Sequence, residues 1–181
     1  MTIAARQLAS YEMVSYDADS GSLTSTELGI TASKYYLNAK SIETFNPIFK
    51  PRMTEADTLW VLSQSHEFEQ IAVRDSEVPE LKTLSESAPC DIRVNFFSAY
   101  FGQADARAKG AVQTTPGKVN VLLQSFISRR FIEDFALVSD SAYVAQNAAR
   151  IARAMFEIAV SRKWSESARV ILSLCKAIES Q

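Results

Sequence analysis

The 181-residue chain is long enough to bury the core of one domain, with room for a remnant of a second. Its 47% hydrophobic and 22% charged residues are ordinary for a globular protein. No apolar run approaches the roughly 20 residues of a membrane-spanning helix, and the start lacks the apolar core of a signal peptide. Cys90 and Cys175 are too few for a disulfide framework and too isolated for a zinc site. We therefore expect a reduced intracellular protein, cytoplasmic or nuclear, without membrane contact.

The net charge of −2 is unevenly divided along the chain. Residues 110–181 contain 9 Lys and Arg against 6 Asp and Glu, whereas residues 1–109 contain 10 against 15. The basic C-terminal part permits a surface that faces phosphates, but its excess of charge is smaller than that of a basic DNA-binding domain. Charge alone therefore does not decide between partners.

The first 25 residues predict the end of a helix followed by a hairpin. Ile3, Leu8 and Tyr11 have helical spacing, and MVSY, the turn-rich DADSG and SLT then form strand, turn and strand. An isolated hairpin is only marginally stable in water. We therefore expect this hairpin to pack on elements outside the chain, as the wing of a winged-helix fold does.

From Thr26 onward the sequence predicts short helices with short connections. TELGITASKYYL is the first; Ser41 is predicted to cap the second, which Pro51 ends. Thr54 is predicted to cap the third, because Glu55 and Asp57 place acidic groups in its first turn. HEFEQI, capped by Ser65, and VRDSEVPELKTLSES add two more. Short helices joined in this way favour a bundle.

The C-terminal third is the most regular part of the chain. KVNVLLQSFISR predicts one helix, SESARVILSLCKAIES the last, and a long helix between them begins at Ser139 or Asp140. Residues 94–110, VNFFSAYFGQADARAKG, depart from this pattern because they crowd aromatic residues into an expected surface connection. The predicted fold class is mainly α, a multi-helix bundle with one long central helix, preceded by a small β-hairpin.

The long helix has two distinct faces. Its apolar stripe consists of Val144, Ala148, Ile151, Met155 and Ile158. Its second face carries an aromatic ring, two amides and two guanidiniums, at Tyr143, Gln146, Asn147, Arg150 and Arg153. Such groups suit single-stranded nucleic acid, because rings and guanidiniums stack on bases, amides bond to base edges and Arg binds phosphates. The alternative is a polar face that is merely solvated.

Several blocks of this chain resemble the Sec sixty-three domain of the Ski-two-like superfamily-two helicases. These are TELGITASKYYL, SIETFNPIFKPRMTEAD, SHEFEQIAVRDSE, KVNVLLQSFISR and FALVSDSAYVAQNAARIARAMFEIA, which occur in the family's order and span nearly the whole chain. In that family two RecA-like motor domains and a winged helix precede a helical bundle. A long ratchet helix of this bundle lies across the path of the translocating strand.

The resemblance implies a division of the chain and a site. Residues 1–25 would be the end of the winged helix, residues 26–181 the bundle, and the long helix the ratchet. In related archaeal repair helicases, a basic and an aromatic residue seven positions apart on this helix touch bases. The matching positions are Tyr143 and Arg150, with the two types exchanged, which favours phosphate or base-edge contact by Arg150 over stacking.

Two departures from the family pattern stand out. Relatives commonly carry Arg after the ELG triplet, where this chain has Ile30, so any contact of that Arg is lost or replaced. The family also has a shorter connection before the KVN block, so residues 94–109 form an atypical insert. The insert is either a loop specific to this lineage or a translated intron, which transcript sequencing would distinguish.

Catalytic, metal and cofactor sites are not predicted. The chain contains no G-x-x-x-x-G-K-S/T phosphate loop, so ATP hydrolysis is not expected of it. His66 is interpreted as a surface residue, Trp60 and Trp164 as packing residues, and both cysteines as unreactive thiols. Glu133 and Asp134 are adjacent and so do not face each other.

Two functions remain open from the sequence. The first is a non-catalytic helicase module that guides single-stranded RNA or DNA, with RecA-like motor domains and a winged helix as partners in the parent protein. The second is a protein-interaction scaffold, because the same domain occurs in a subunit of the endoplasmic-reticulum translocon. Upstream motor domains would favour the first; transmembrane segments and a J domain would favour the second.

Overall fold

The computed structural model describes residues 2–93 and 111–181 of the chain. The N-terminal segment forms helix α1 (Thr2–Ser10) and two antiparallel strands, β1 (Val14–Tyr16) and β2 (Leu23–Ser25), with Ser15 opposite Thr24. The predicted hairpin is therefore confirmed, and Gly21 supplies a left-handed residue (φ 69°) at its turn. The predicted insert at 94–109 lies outside the described residues.

The hairpin is held against the bundle at Gly29 in helix α2 (Glu27–Lys34). A Cβ atom on Gly29 would lie 1.9 Å from the carbonyl oxygen of Met13, so only glycine permits this approach. Thr26 reinforces the junction, because its hydroxyl contacts the Met13 carbonyl at 2.9 Å and accepts from the Gly29 N–H at 3.0 Å. The N-terminal segment is thus fixed to the helices that follow.

Helices α3 (Ala39–Ile48) and α4 (Glu55–Ser63) follow, and their caps test two predictions. Thr54 caps α4 through a capping box with Asp57, as predicted. The prediction that Ser41 caps α3 is wrong, because Asn38 caps this helix and Ser41 is buried within it. Ser65 precedes a single 3₁₀ turn, His66–Phe68, without a side-chain capping bond.

The remaining helices are α5 (Val78–Glu86), α6 (Thr115–Ile127), α7 (Phe135–Ser161) and α8 (Ser165–Glu179). The predicted start of the long helix at Ser139 or Asp140 is wrong. Asp134 caps α7, because its carboxylate accepts hydrogen bonds from the backbone N–H groups of Ala136 (2.7 Å) and Leu137 (3.1 Å). This cap adds more than one turn to the helix.

Helix α7 occupies the centre of the bundle and packs against α2, α4, α6 and α8. Its predicted apolar stripe is confirmed, since all five members are buried: Val144, Ala148, Ile151, Met155 and Ile158. Trp60 is also buried, and Trp164 packs edge-on against Phe49 with ring centroids 5.3 Å apart. The structure confirms a mainly α bundle with one long central helix. Among the described residues, no helix is both long and apolar enough to cross a membrane.

Candidate nucleic-acid interface

The five predicted site residues form a row along one side of α7, which we call the polar row: Tyr143, Gln146, Asn147, Arg150 and Arg153. Tyr143, Asn147 and Arg150 lie three or four residues apart on one face of the helix, and Gln146 and Arg153 lie along its edge. Gln146 and Arg153 are exposed, whereas the other three are half-buried. The polar row therefore combines groups that face solvent with groups that also contact the rest of the protein.

Arg150 binds the C-terminal end of α2. Its Nη1 donates to the carbonyl oxygens of Tyr35 (2.6 Å) and Tyr36 (2.7 Å). Its Nη2 donates to Oδ1 of Asn147 at 2.9 Å, and Nδ2 of Asn147 donates to the Tyr143 carbonyl at 3.0 Å. A cation at a helix C-terminus satisfies carbonyls that lack partners within the helix and complements the helix dipole. Two of the three guanidinium nitrogens are thus committed to acceptors within the protein.

Tyr143 ties the start of the polar row to the segment after α4. Its hydroxyl donates to the backbone carbonyl of Glu67 at 3.2 Å. The Glu67 carboxylate in turn accepts from the Asn38 N–H at 2.8 Å and from the Ser41 hydroxyl. Ser41 Oγ also accepts from the His66 N–H at 2.8 Å, so the hydroxyl bonds to the segment after α4 and not to the start of its own helix.

Arg153, at the other end of the polar row, forms an ion pair with Glu179 of α8. The side chain of Arg153 is 57% exposed and that of Glu179 36% exposed. The Glu179 hydrogen bond raises the pKa of Arg153, and the same bond lowers the pKa of Glu179. Exposed ion pairs of this kind contribute little net stability, so a competing phosphate can replace the carboxylate.

A further contact between α2 and α7 was not anticipated from the sequence. The Glu157 carboxylate accepts from Lys34 Nζ at 2.6 Å and from the Tyr35 hydroxyl at 2.7 Å. The Lys34 hydrogen bond, followed by that of Tyr35, lowers the pKa of Glu157. Ile30 lies half-exposed on the same helix α2. The end of α2 is therefore bound to α7 through both Arg150 and Glu157.

A buried ion cluster holds the first part of α7, and the sequence did not reveal it. Lys118 of α6 is fully buried, and its Nζ lies 2.6 Å from Glu77 Oε2, 2.8 Å from Asp140 Oδ2 and 2.9 Å from the Ala72 carbonyl. Arg74 pairs with the same two carboxylates from the solvent side. We call Arg74, Glu77, Lys118 and Asp140 the buried ion cluster. It joins α6 and the segment before α5 to α7.

The single histidine and the two cysteines are all partly or fully buried. His66 is half-buried, with Nε2 2.8 Å from the Glu69 carboxylate. Burial raises the pKa of both thiols, to about 11 for Cys175, so they stay protonated near neutral pH. Within residues 2–93 and 111–181, no three His, Cys, Asp or Glu side chains gather as metal ligands would.

Comparison with known proteins identifies the family. The Sec63 Brl domain family matches residues 25–181. The chain is 43% identical to activating signal cointegrator 1 complex subunit 3 of Gallus gallus, over 97% of this chain and 7% of that protein. It is also 43% identical to the RQC trigger complex helicase SLH1 of Saccharomyces cerevisiae, over 100% of this chain and 8% of the helicase.

A plant relative extends the same pattern. The chain is 38% identical to the DExH-box ATP-dependent RNA helicase DExH14 of Arabidopsis thaliana, over 98% of this chain and 8% of that protein. The chain thus spans less than a tenth of the length of these relatives. The resemblance drawn from the sequence blocks is confirmed. The chain belongs to the Sec63 Brl domain family and is similar to a short segment of each of these proteins.

Proposed function

We propose that this chain is a non-catalytic accessory module of an ATP-dependent helicase, in which α7 guides single-stranded RNA or DNA. The observation that carries the proposal is the polar row, which aligns ring, amide and guanidinium groups along one side of the central helix. Stacking surfaces, base-edge hydrogen bonds and cations are the three elements of single-strand recognition. In the proposed role α7 is the ratchet helix of the parent protein.

The family supports a helicase context for this role. Two of the relatives described above are named as helicases, one of them as an RNA helicase. We extend that context to this chain, with RecA-like motor domains and a winged helix as its partners in a cytoplasmic or nuclear parent protein. Residues 1–25 would be the end of the winged helix and residues 26–181 the bundle; α1 and the hairpin, fixed at Gly29, agree with this division.

The members of the polar row differ in how they would act. Gln146 is exposed, so its amide is available to base edges. Arg153 can exchange the exposed Glu179 carboxylate for a phosphate, which has the same charge sign and similar acceptor geometry. Tyr143, Asn147 and Arg150 are half-buried and hydrogen-bonded within the protein, so they would form the base of the path. Binding would then be electrostatic in large part and sensitive to salt.

The test measures strand binding by the 181-residue chain. Fluorescence anisotropy with a labelled single-stranded RNA or DNA of about 12 nucleotides, at low salt, gives the dissociation constant. The double variant Gln146→Ala/Arg153→Ala should raise it roughly tenfold, because an amide contact and a phosphate contact are lost. Arg169→Ala, an exposed arginine on α8, is the matched control and should leave it unchanged.

An equal loss of affinity in the Arg169→Ala control would mean that only general charge matters. Unchanged affinity in the double variant would contradict the role of the polar row. A strand of the other nucleic acid type, run in parallel, measures the preference for RNA or DNA through contacts to the 2′-hydroxyl.

The second candidate function is a protein-interaction scaffold. The observation in its favour is a group of exposed apolar side chains near the start of α7: Phe131, Phe135 and Val138. Exposed apolar side chains this close in the sequence could form the kind of patch that marks a protein contact. Changes at Phe131 and Phe135 that impair the parent protein, with no effect of changes in the polar row, would favour the scaffold.

A further inference from the structure

Tyr36 is unusual among the residues that end the helices. Within residues 2–93 and 111–181, four non-glycine residues have left-handed backbones: Glu12, Tyr36, Arg129 and Lys163. Each follows a helix end and makes the paired backbone bonds of a Schellman motif, for example from the N–H of Leu37 to the carbonyl of Ala32 at 2.8 Å. Three of the four are charged residues, a type that is mostly exposed in proteins. Tyr36 alone carries a large aromatic ring, and it is 85% exposed.

Neither the backbone nor the core accounts for a tyrosine at this position. The left-handed conformation (φ 52°) favours glycine or asparagine and is costly for a bulky side chain. With 85% of its surface exposed, the ring also gains little from burial within the chain. A residue that is locally unfavourable and exposed is a candidate for contact with something outside the chain.

The position of Tyr36 is fixed from α7. Arg150 Nη1 donates to both the Tyr35 and the Tyr36 carbonyl, and its Nη2 donates to Asn147 Oδ1. The backbone that carries the exposed ring is therefore fastened directly to the middle of the polar row. Because the backbone at Tyr36 is already held by hydrogen bonds, binding of a partner would cost little backbone conformational entropy at this position.

We propose that the ring of Tyr36 is a stacking platform for an unpaired base of the strand that follows the polar row, and that Arg150 positions this platform. The proposal deepens the function proposed above and rests on it. A neutral exposed ring stacks on any base, so this contact would add affinity without selecting a sequence. Arg150 then acts by positioning Tyr36, because the guanidinium nitrogen that would help to bind a phosphate is hydrogen-bonded to protein oxygens.

The test uses the 181-residue chain and a single-stranded RNA of about 12 nucleotides that carries the fluorescent base 2-aminopurine. Tyr36→Ala should weaken binding about fivefold or more and reduce the stacking-dependent quenching of the base. Tyr36→Phe should stay within about twofold of the unchanged chain, because the ring remains. Phe135→Ala removes an equally exposed ring (86%) at another place on the surface and should have no effect.

Tyr36→Gly separates binding from folding. Glycine relieves the left-handed backbone, so this variant should unfold at the same temperature as the unchanged chain or a higher one, yet bind as weakly as Tyr36→Ala. A stable Tyr36→Gly variant that binds the strand with full affinity would contradict the proposal that Tyr36 stacks on a base.

The two proposals fail in different ways. If Gln146→Ala/Arg153→Ala weakens binding while Tyr36→Ala does not, the platform is wrong and the polar row remains. If the unchanged chain binds no single strand at low salt, both are wrong. If Tyr36→Ala and Phe135→Ala weaken binding equally, the ring at position 36 has no special role and the platform is again wrong.

Discussion

Two charged sites on α7 differ in the burial of their ion pairs. At Asp140, near the start of the helix, the partner Lys118 is fully buried and is within hydrogen-bond distance of three acceptors, on Ala72, Glu77 and Asp140. At Arg153, two-thirds of the way along, the single partner is the partly exposed Glu179. A buried charge that loses its partner has no water to replace it, whereas an exposed charge does. The first site therefore fixes the helix, and the second is free to exchange partners.

The largest expected effect comes from removing the cation of the buried ion cluster. Lys118→Met keeps the length of the side chain but leaves Glu77 and Asp140 without their buried partner. We expect the free energy of unfolding to fall by about 3–5 kcal/mol. Lys82→Met, at an exposed position on α5, is the control and should have little effect. Urea unfolding measures the free energy of unfolding of both variants. A loss below about 1 kcal/mol for Lys118→Met would contradict the idea that the buried site fixes the helix more strongly than the exposed site does.

Arg150 lies between the two extremes, so its replacement sharpens the comparison. Arg150→Ala removes hydrogen bonds from a charged donor to two carbonyls at the end of α2. The free energy of unfolding should fall by about 1–3 kcal/mol. Arg169→Ala serves as the control in the same urea experiment. If both variants unfold at the same urea concentration, Arg150 is not the structural member of the polar row.

The buried ion cluster should also appear in the dependence of stability on pH. Burial raises the pKa of Glu77, but the hydrogen bonds from Lys118 and Arg74 outweigh it and hold the pKa below the ordinary 4.5. The unfolded chain therefore binds this proton more readily than the folded chain. The contribution of Glu77 to stability is complete above pH 4.5 and is lost as the pH falls through the lower folded value.

Urea unfolding between about pH 3 and pH 7 tests this dependence. Glu77→Gln should show a smaller loss of stability below pH 4.5 than the unchanged chain. Glu86→Gln, on the exposed side of α5, should retain the full loss. Identical acid profiles for Glu77→Gln and the unchanged chain would show that the cluster does not control acid stability.

The smallest expected effect lies at the exposed end of the polar row. Glu179→Gln removes the carboxylate that pairs with Arg153 and should free the guanidinium for phosphate. We expect single-strand affinity at low salt to rise about twofold to fivefold, and the gain to disappear at high salt. Glu166→Gln, exposed in the first turn of the same helix α8, controls for the change in net charge. An equal gain in both variants would assign the effect to net charge.

Some elements of the fold followed directly from local sequence patterns. Apolar residues at helical spacing predicted the centre of α7, and Thr54 with Asp57 predicted the start of α4. The start of α7 was missed because Phe135 and Val138, in its first turn, face solvent. An apolar residue that faces solvent breaks the periodicity on which such a prediction depends. Asp134 is a residue type that favours a helix cap, but it stands in a segment that was interpreted as a connection.

Other elements depended on partners distant in the sequence. Asn38 and Ser41 are both residue types that favour a cap, but the Ser41 hydroxyl bonds to Glu67 and His66, which lie 25 or more residues away in the sequence. Lys118 is a residue type that is rarely buried, and only the assembly of Glu77 and Asp140 around it explains its position. The sequence likewise predicted the members of the polar row, but not which of them bind protein acceptors, because those acceptors are distant in the sequence.

The sequence by itself determined the mainly α class, the long helix with its two faces, and the membership of the family. These depend on residue spacing over a few turns and on blocks in a fixed order. Only the tertiary structure decided that Arg150 binds the end of α2, whose acceptor at Tyr35 lies 115 residues earlier in the chain. It likewise decided that Tyr36 remains exposed beside the polar row. Such contacts arise from packing between helices, which no local pattern records.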